Sequence, residues 1–272
     1  MDYLARDDAP FSGEVWNQID ETVVQTARRI LTGRRFIDIY GPLGAQTLSV
    51  PVDDLNRKSA VEDDGIMSKT GGRAYKELPL IYSDATLYWR DMENSLKSGR
   101  PLDLTAVVEA AAKCAKKEDE LLFFGSKSFG YDGLFTAKGA THLKRADWKT
   151  GENPFADVAK GIETLVEKGV WGRTALVMSP NLYTQLQRIQ PGTGRMEIDR
   201  VSSLVDGHLY RTPVLGTDKA VLVCSDAQYI DLAVGQDFAA SYLELKDLNH
   251  VLRVVETAMP RIKRSDAIVV FD

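Results

Sequence analysis

The chain has 272 residues, 44% hydrophobic and 27% charged, with a formal net charge of -5. That length can bury a sizeable core as one large domain or two modest ones, and the acidic balance argues against a general nucleic-acid or anionic-membrane surface. The two cysteines, Cys114 and Cys224, fall in apolar helical and strand-like runs, which argues against a disulfide framework and for a reducing, cytoplasmic setting.

The N-terminal MDYLARDDAPFSG shows no basic start leading into an apolar stretch, so no signal peptide is expected, and no apolar run is long enough for a membrane span. Residues 12–31 then read as a helix. Ser12 is the expected N-cap, Val15, Ile19, Val23, Ala27 and Ile30 form one apolar stripe, and Arg28 and Arg29 suit the C-terminal end. Gly33 is where the chain leaves it. GRRFIDIYGPLG follows at 33–44, with Phe36, Ile37 and Ile39 as a short extended piece. A period of two places Arg34, Phe36 and Asp38 on one side and Ile37 and Ile39 on the other. A strand is expected over 47–52. Residues 52–79 then form a polar, glycine-bearing excursion, too long for an ordinary connection inside a compact domain.

Residues 78–88 alternate like a strand, and RDMENSLKSGRP reads as a short helix or turn. The second strong helix is expected over 102–124, with Asp103 as N-cap and an Ala-rich middle suited to close packing. GSKSFGYDGLF at 125–135 is a glycine-punctuated loop. Residues 154–225 have a compact α/β texture: helices over 155–167, after Ser179-Pro180, and near 197–206, with strands at 175–178, in LYRTPVL and in KAVLVCS. The tail returns to strands.

No catalytic constellation emerges. GRRFIDIYGPLG and PGTGR lack dinucleotide and Walker spacings, so both glycine stretches read as turns. His142, His208 and His250 have no partners at metal-ligand spacing, so no metal or other cofactor is expected. The consecutive Glu118, Asp119 and Glu120 read as a solvated helix end with one salt bridge. Trp89 suits an interface anchor and core packing equally.

In order and spacing, several segments resemble the encapsulin shell proteins, once grouped with linocin-type bacteriocins. These are Trp16 with Ile19-Asp20, GRRFIDIYGPLG, LPLIYSDATLYWRDMENSLKSGRP at 78–101, KKEDELLFFG at 116–125, GYDGLF at 130–135, PNLYTQL at 180–186, AVGQDFAASYLE at 233–244 and the closing VVETAMPRIKRSDAIVVF. The resemblance implies an α+β chain with the HK97-type phage major capsid protein fold. It further implies a non-enzymatic shell subunit in an icosahedral homo-oligomer of about sixty copies. It divides the chain into an N-terminal lumenal helix and linker (1–45), an extended loop (46–78), a peripheral domain (79–135 and 226–272, with spine helix 102–124) and an axial domain (136–225). It also implies a groove for the C-terminal targeting peptide of a cargo enzyme, such as a dye-decolourising peroxidase or a ferritin-like protein. The expected groove residues are Ala27, Ile30, Leu31 and Phe36 as apolar lining, Arg34 and Asp38 as clamps, and Ile230 and Leu232 from the returning strand. Gln190, Pro191, Gly192, Thr193, Gly194 and Arg195 are the expected fivefold pore loop. The same fold serves the major capsid protein of a tailed phage or prophage; the helix at 12–31 and the lack of a scaffolding segment favour the encapsulin reading. No nucleic acid or membrane partner is implied.

Overall fold

The computed structural model describes residues 3–52, 61–63, 65–70, 74–190 and 194–272, with the backbone alone for 61–63, 69 and 70. Helix α1 (Gly13–Ile30) starts where Ser12 Oγ accepts from Val15 N at 3.3 Å, as the capping pattern predicts. Its stripe of Trp16, Ile19, Val23 and Ala27 is buried. Strands β1 (Ile39–Tyr40) and β2 (Ser49–Pro51) follow, then β3 (Val61–Asp63) and β4 (Ser68–Thr70), which pair antiparallel within the excursion. β5 (Tyr75–Glu77) returns to pair with β2, and Val52 N donates to Ala74 O at 2.9 Å, so the excursion leaves and re-enters at one place.

β6 (Leu80–Leu87) runs into α2 (Trp89–Ser98), a surface helix that buries no residue fully. Trp89 is exposed there. The long α3 (Thr105–Phe124) begins one residue later than its expected cap: Leu104 holds the cap position, and Asp103 Oδ1 accepts from Thr105 N at 2.9 Å. Next come β7 (Thr141–Leu143), α4 (Asn153–Glu167), β8 (Thr174–Met178), α5 (Pro180–Gln185), α6 (Glu197–Leu204), β9 (Leu209–Arg211) and β10 (Ala220–Cys224). The chain closes with β11 (Ile230–Val234), β12 (Ala239–Lys246), β13 (Asn249–Ile262) and β14 (Ile268–Phe271).

Two five-stranded sheets organise these elements. In the first, β13 is the backbone: β6 and β12 pair with its first half and β11 with its second, while β1 adds parallel to β11. α3 lies against β6 and β13, and α1 lies against α3. The N-terminal arm runs along β12, where Tyr242 N donates to Leu4 O at 2.9 Å and Arg6 grips Asp20 at 2.7 Å. The second sheet has the order β7-β14-β10-β8-β9. Its three inner strands, β14, β10 and β8, are nearly all buried, as continuous apolar runs covered on both faces should be. Trp148, Phe123 and Phe271 are the largest fully buried side chains in this core.

Two sequence expectations change. The extended piece at 36–39 shrinks to Ile39–Tyr40, because residues 33–35 curl into a 3-10 turn, Gly33–Arg35. Arg34, Phe36 and Asp38 therefore do not share a strand face. The returning segment also divides: β11 to β13 join the first sheet, while β14 crosses to the second, between β7 and β10. IVVF is buried on both faces, and only the second sheet offers it a place with a neighbour on each side.

Candidate functional site

The site grows from the turn that ends α1. Asp119, on α3, is fully buried and accepts Thr32 N on Oδ2 and Gly33 N on Oδ1, both at 2.9 Å. Two backbone N–H groups that would otherwise be orphaned are thereby satisfied. Burial pushes the Asp119 carboxyl up to about 6, against the N–H bonds from Gly33 and Thr32 that favour its charged form. Gly33 is required sterically: a Cβ there would overlap the Leu122 side chain. Gly33→Ala is expected to cost about 1–3 kcal/mol through forced repacking. An unchanged unfolding midpoint would show that the turn does not sit this close to α3.

The turn delivers Arg34 into a nest of carboxylates. Its Nε donates to both Glu118 oxygens at 3.0 Å and its Nη2 to Glu118 Oε2 at 2.6 Å. Nη2 also meets Glu256 Oε1 on β13, and Nη1 meets Asp237 Oδ1 at 2.8 Å. Glu118 and Glu256 are buried, at 1% and 0% exposure, whereas Asp237 is on the rim. Burial works against the Arg34 cation, but the Glu118 hydrogen bonds and the surrounding negative charges raise its pKa above the ordinary arginine value. Burial, then the charge and hydrogen bond of Glu118, hold the Glu256 carboxyl well above the usual carboxylate range. The solvated helix end expected at 118–120 is thus a buried anchor; only Glu120 faces solvent, near Lys116 and Lys117. Both i and i+1 are buried because α3 is covered by the sheet and by α1.

Above this anchor lies a groove of about 400 Å³. Val24, Ala27, Arg28 and Leu31 form one wall, Arg34, Arg35 and Ile39 the floor and far side, and Asp237 with Phe238 the remaining edge. Asp237 and Phe238 reach it because residues 235–238 leave the ladder between β11 and β12. Thr257 patches that break: it accepts Gly235 N on its carbonyl and Gln236 N on its hydroxyl. The Arg34 guanidinium stacks 5.2 Å from the Phe238 ring centre, so the charged group presents a partly apolar surface. Apolar walls with a few converging polar groups are what a short, largely apolar peptide requires.

Of the expected groove residues, the structure brings Ala27, Leu31 and Arg34 to the groove. Ile30 packs beside Ala27, Leu31 and Ala115 without lining it. Phe36, Ile230 and Leu232 belong to the main core; Phe36 stacks 5.5 Å from Tyr210 and 6.3 Å from Phe123. Asp38 instead meets Arg173 Nη2 at 3.0 Å. Missed from the sequence were Val24, Arg28, Arg35, Ile39, Asp237 and Phe238. In the expected pore loop, Pro191, Gly192 and Thr193 lie outside the described residues. Gln190 at its base donates to Glu152 and accepts from Arg200. Both cysteines are buried, and burial raises their thiols to about 12 for Cys114 and about 11 for Cys224. Among the described residues, no group of three or more His, Cys, Asp or Glu is placed to hold a metal, and no helix is long and apolar enough to cross a membrane.

Comparison with known proteins bears on the family and the fold. Residues 1–259 match the family described as encapsulating protein for peroxidase. The chain is 41% identical over 273 residues to the type 1 encapsulin shell protein EncA of Myxococcus xanthus, covering 98% of this chain and 95% of the relative. It is 39% identical over 262 residues to a diheme-cytochrome-encapsulin shell fusion protein of Kuenenia stuttgartiensis, covering 94% of this chain and 72% of the relative. In fold it is similar to the virus-like particle of Pyrococcus furiosus, with a TM-score of 0.76 at 19% identity over 95% of this chain and 100% of that one. The capsid of Myoviridae phage XM1 matches at a TM-score of 0.61 and 14% identity, over 89% and 91% of the two chains. A fold shared with phage capsids and a sequence shared end to end with shell proteins lead to one assignment: the chain belongs to the encapsulin family of shell proteins and has the HK97-type capsid fold.

Proposed function

We propose that this chain closes into an icosahedral compartment in the cytoplasm and retains cargo enzymes by their C-terminal tails, without catalysing a reaction itself. The observation that carries the cargo reading is the groove, where apolar walls from α1 and Phe238 surround a guanidinium locked in place from below. We assign α1 to the lumenal side, residues 46–78 to the loop that interlocks neighbours, the first sheet with α3 to the peripheral domain, and residues 136–225 with β14 to the axial domain. The segment 190–195 is then the pore edge. About sixty copies would complete the smallest closed shell of this symmetry. The cargo class is a redox protein, a peroxidase or a ferritin-like protein; the family description and the cytochrome-fused relative support that choice.

The test is co-expression with a fluorescent protein that carries a C-terminal tail of small and apolar residues. Wild-type chains are expected to form hollow particles that retain the reporter. Ile39→Asp, which places a charge on an exposed groove wall, is expected to leave particle formation intact and reduce loading about tenfold or more. Equal loading of both shells removes the groove assignment. Absence of large particles in electron micrographs of the wild type removes the shell itself.

A further inference from the structure

Beneath the groove sit two buried carboxyls on one guanidinium. Arg34 supplies a single positive charge to Glu118 and Glu256, and its remaining fork is occupied by Asp237. Glu256 Oε2 is buried and receives no donor among the described residues. As an anion this carboxyl is under-satisfied; as an acid it has a proton to offer Glu118, which shares with it the same Arg34 Nη2. Two buried anions beside one cation are costly, and a shared proton relieves the excess charge.

The position of this pair gives its protonation a consequence. Arg34 is both the counter-ion of the pair and part of the groove lining. While Glu256 holds a proton, Arg34 faces Glu118 and the rim carboxylate of Asp237. Once the proton leaves, a further negative charge arises directly beneath the guanidinium, in surroundings of weak screening. An incoming tail ends in a carboxylate, so that added charge weakens its hold. The other titratable groups beside the pair are Asp119, next to Glu118, and Cys114, whose thiol feels Glu256, both on α3. Cys114 is a neutral thiol, its pKa raised by burial.

We propose that Glu118 and Glu256 are positioning residues for Arg34 and that they share one proton across the floor of the groove, so that the shell holds cargo tails tightly when the proton is present and releases them as it is lost at rising pH. This rests on the groove being the cargo site, and it adds a control to that site: loading is linked to the protonation of a pair that no tail touches.

The experiment uses assembled shells already loaded with the tail-bearing fluorescent protein, so no probe has to enter. Time-resolved anisotropy reports whether the packaged reporter is tethered. Between about pH 5 and about pH 9 the ratio of tethered to free reporter is expected to fall about tenfold in the wild type. Glu256→Gln, which keeps an acceptor for Arg34 and a donor for Glu118, is expected to hold the low-pH ratio throughout. Difference infrared spectra of the same particles should show protonated-carboxyl absorption that disappears on alkalinisation, with one component fewer in Glu256→Gln, where only Asp119 among the buried carboxyls of this site still loses its band. A wild-type ratio that does not change with pH overturns the proposal, as does an unchanged pH profile in Glu256→Gln, which would place the titrating group elsewhere, Asp119 foremost. Should the glutamine variant form no particles, Glu118→Gln tests the same pair with the same readouts. Failure of the groove reading is visible separately, because Ile39→Asp shells would then load like the wild type.

Discussion

Arg34→Ala is expected to be the most damaging single substitution in the first half of the chain, costing about 3–5 kcal/mol per subunit. The reason is what it leaves behind. Glu118 and Glu256 are sealed between α3 and β13, and without the guanidinium they have no cation in contact among the described residues. Removing one partner of a buried charge cluster is far costlier than never having built it. The stacking on Phe238 and the tie to Asp237 go as well. Denaturant unfolding of purified particles, with soluble yield as a second readout, measures the effect. Arg34→Lys keeps the charge and loses the planar fork, so it should fall between the two. A wild-type midpoint for Arg34→Ala would mean that the carboxyls are neutral and self-sufficient, and that the cation is ornamental to the fold.

The second large effect is a pH slope from Asp119. Its pKa stands at about 6 in the folded chain against an ordinary 3.8, which corresponds to about 3 kcal/mol. The sign follows from the direction. A carboxyl whose folded pKa is raised binds its proton more tightly when folded, so its contribution is fully present below the ordinary value and is lost as pH rises through about 6. Stability is therefore expected to decline from about pH 4 to about pH 6 on this account. Exposed carboxylates such as Asp84, held down by its hydrogen bond with Arg253, work in the opposite direction. Comparison with Asp119→Asn isolates the term. The variant is less stable overall, since its NH2 group replaces one of the two oxygens that accept the Thr32 and Gly33 N–H groups, but it should lack this part of the slope. Parallel pH profiles for the two proteins would contradict the assignment.

The elements of this fold were largely readable, because most obey a single period. α1 declares itself through its cap and stripe, and TALVM, AVLVC and IVVF read as buried strands from their unbroken apolar runs. The site was readable only in part. Ala27, Leu31 and Arg34 were found through a family resemblance, whereas the carboxyls that hold Arg34 come from positions 84 and 222 residues further along the chain. No local pattern reports such a meeting. Charge in a helix ordinarily marks its wet side, and Glu118 with Asp119 break that rule because α3 has packed neighbours on several sides. A hint did exist: the short charged run KKEDE is enclosed by the Ala-rich AAAKCA and by LLFF, so the helix is apolar on both sides of it. Phe36 misled for a related reason. Its alternation with Arg34 and Asp38 suggested a strand, but two N–H bonds to Asp119 bend the backbone just before it.

The place of β14 has a consequence for the order in which the subunit can close. β14 lies inside the second sheet, between β7 and β10, and Asp272 is tied to Leu143 and Arg145. That sheet cannot be completed until residues 268–271 have left the ribosome, after β11 to β13 of the first sheet have already been made. Until then β7 and β10 have no shared neighbour, so the first sheet has all its strands before the second can close.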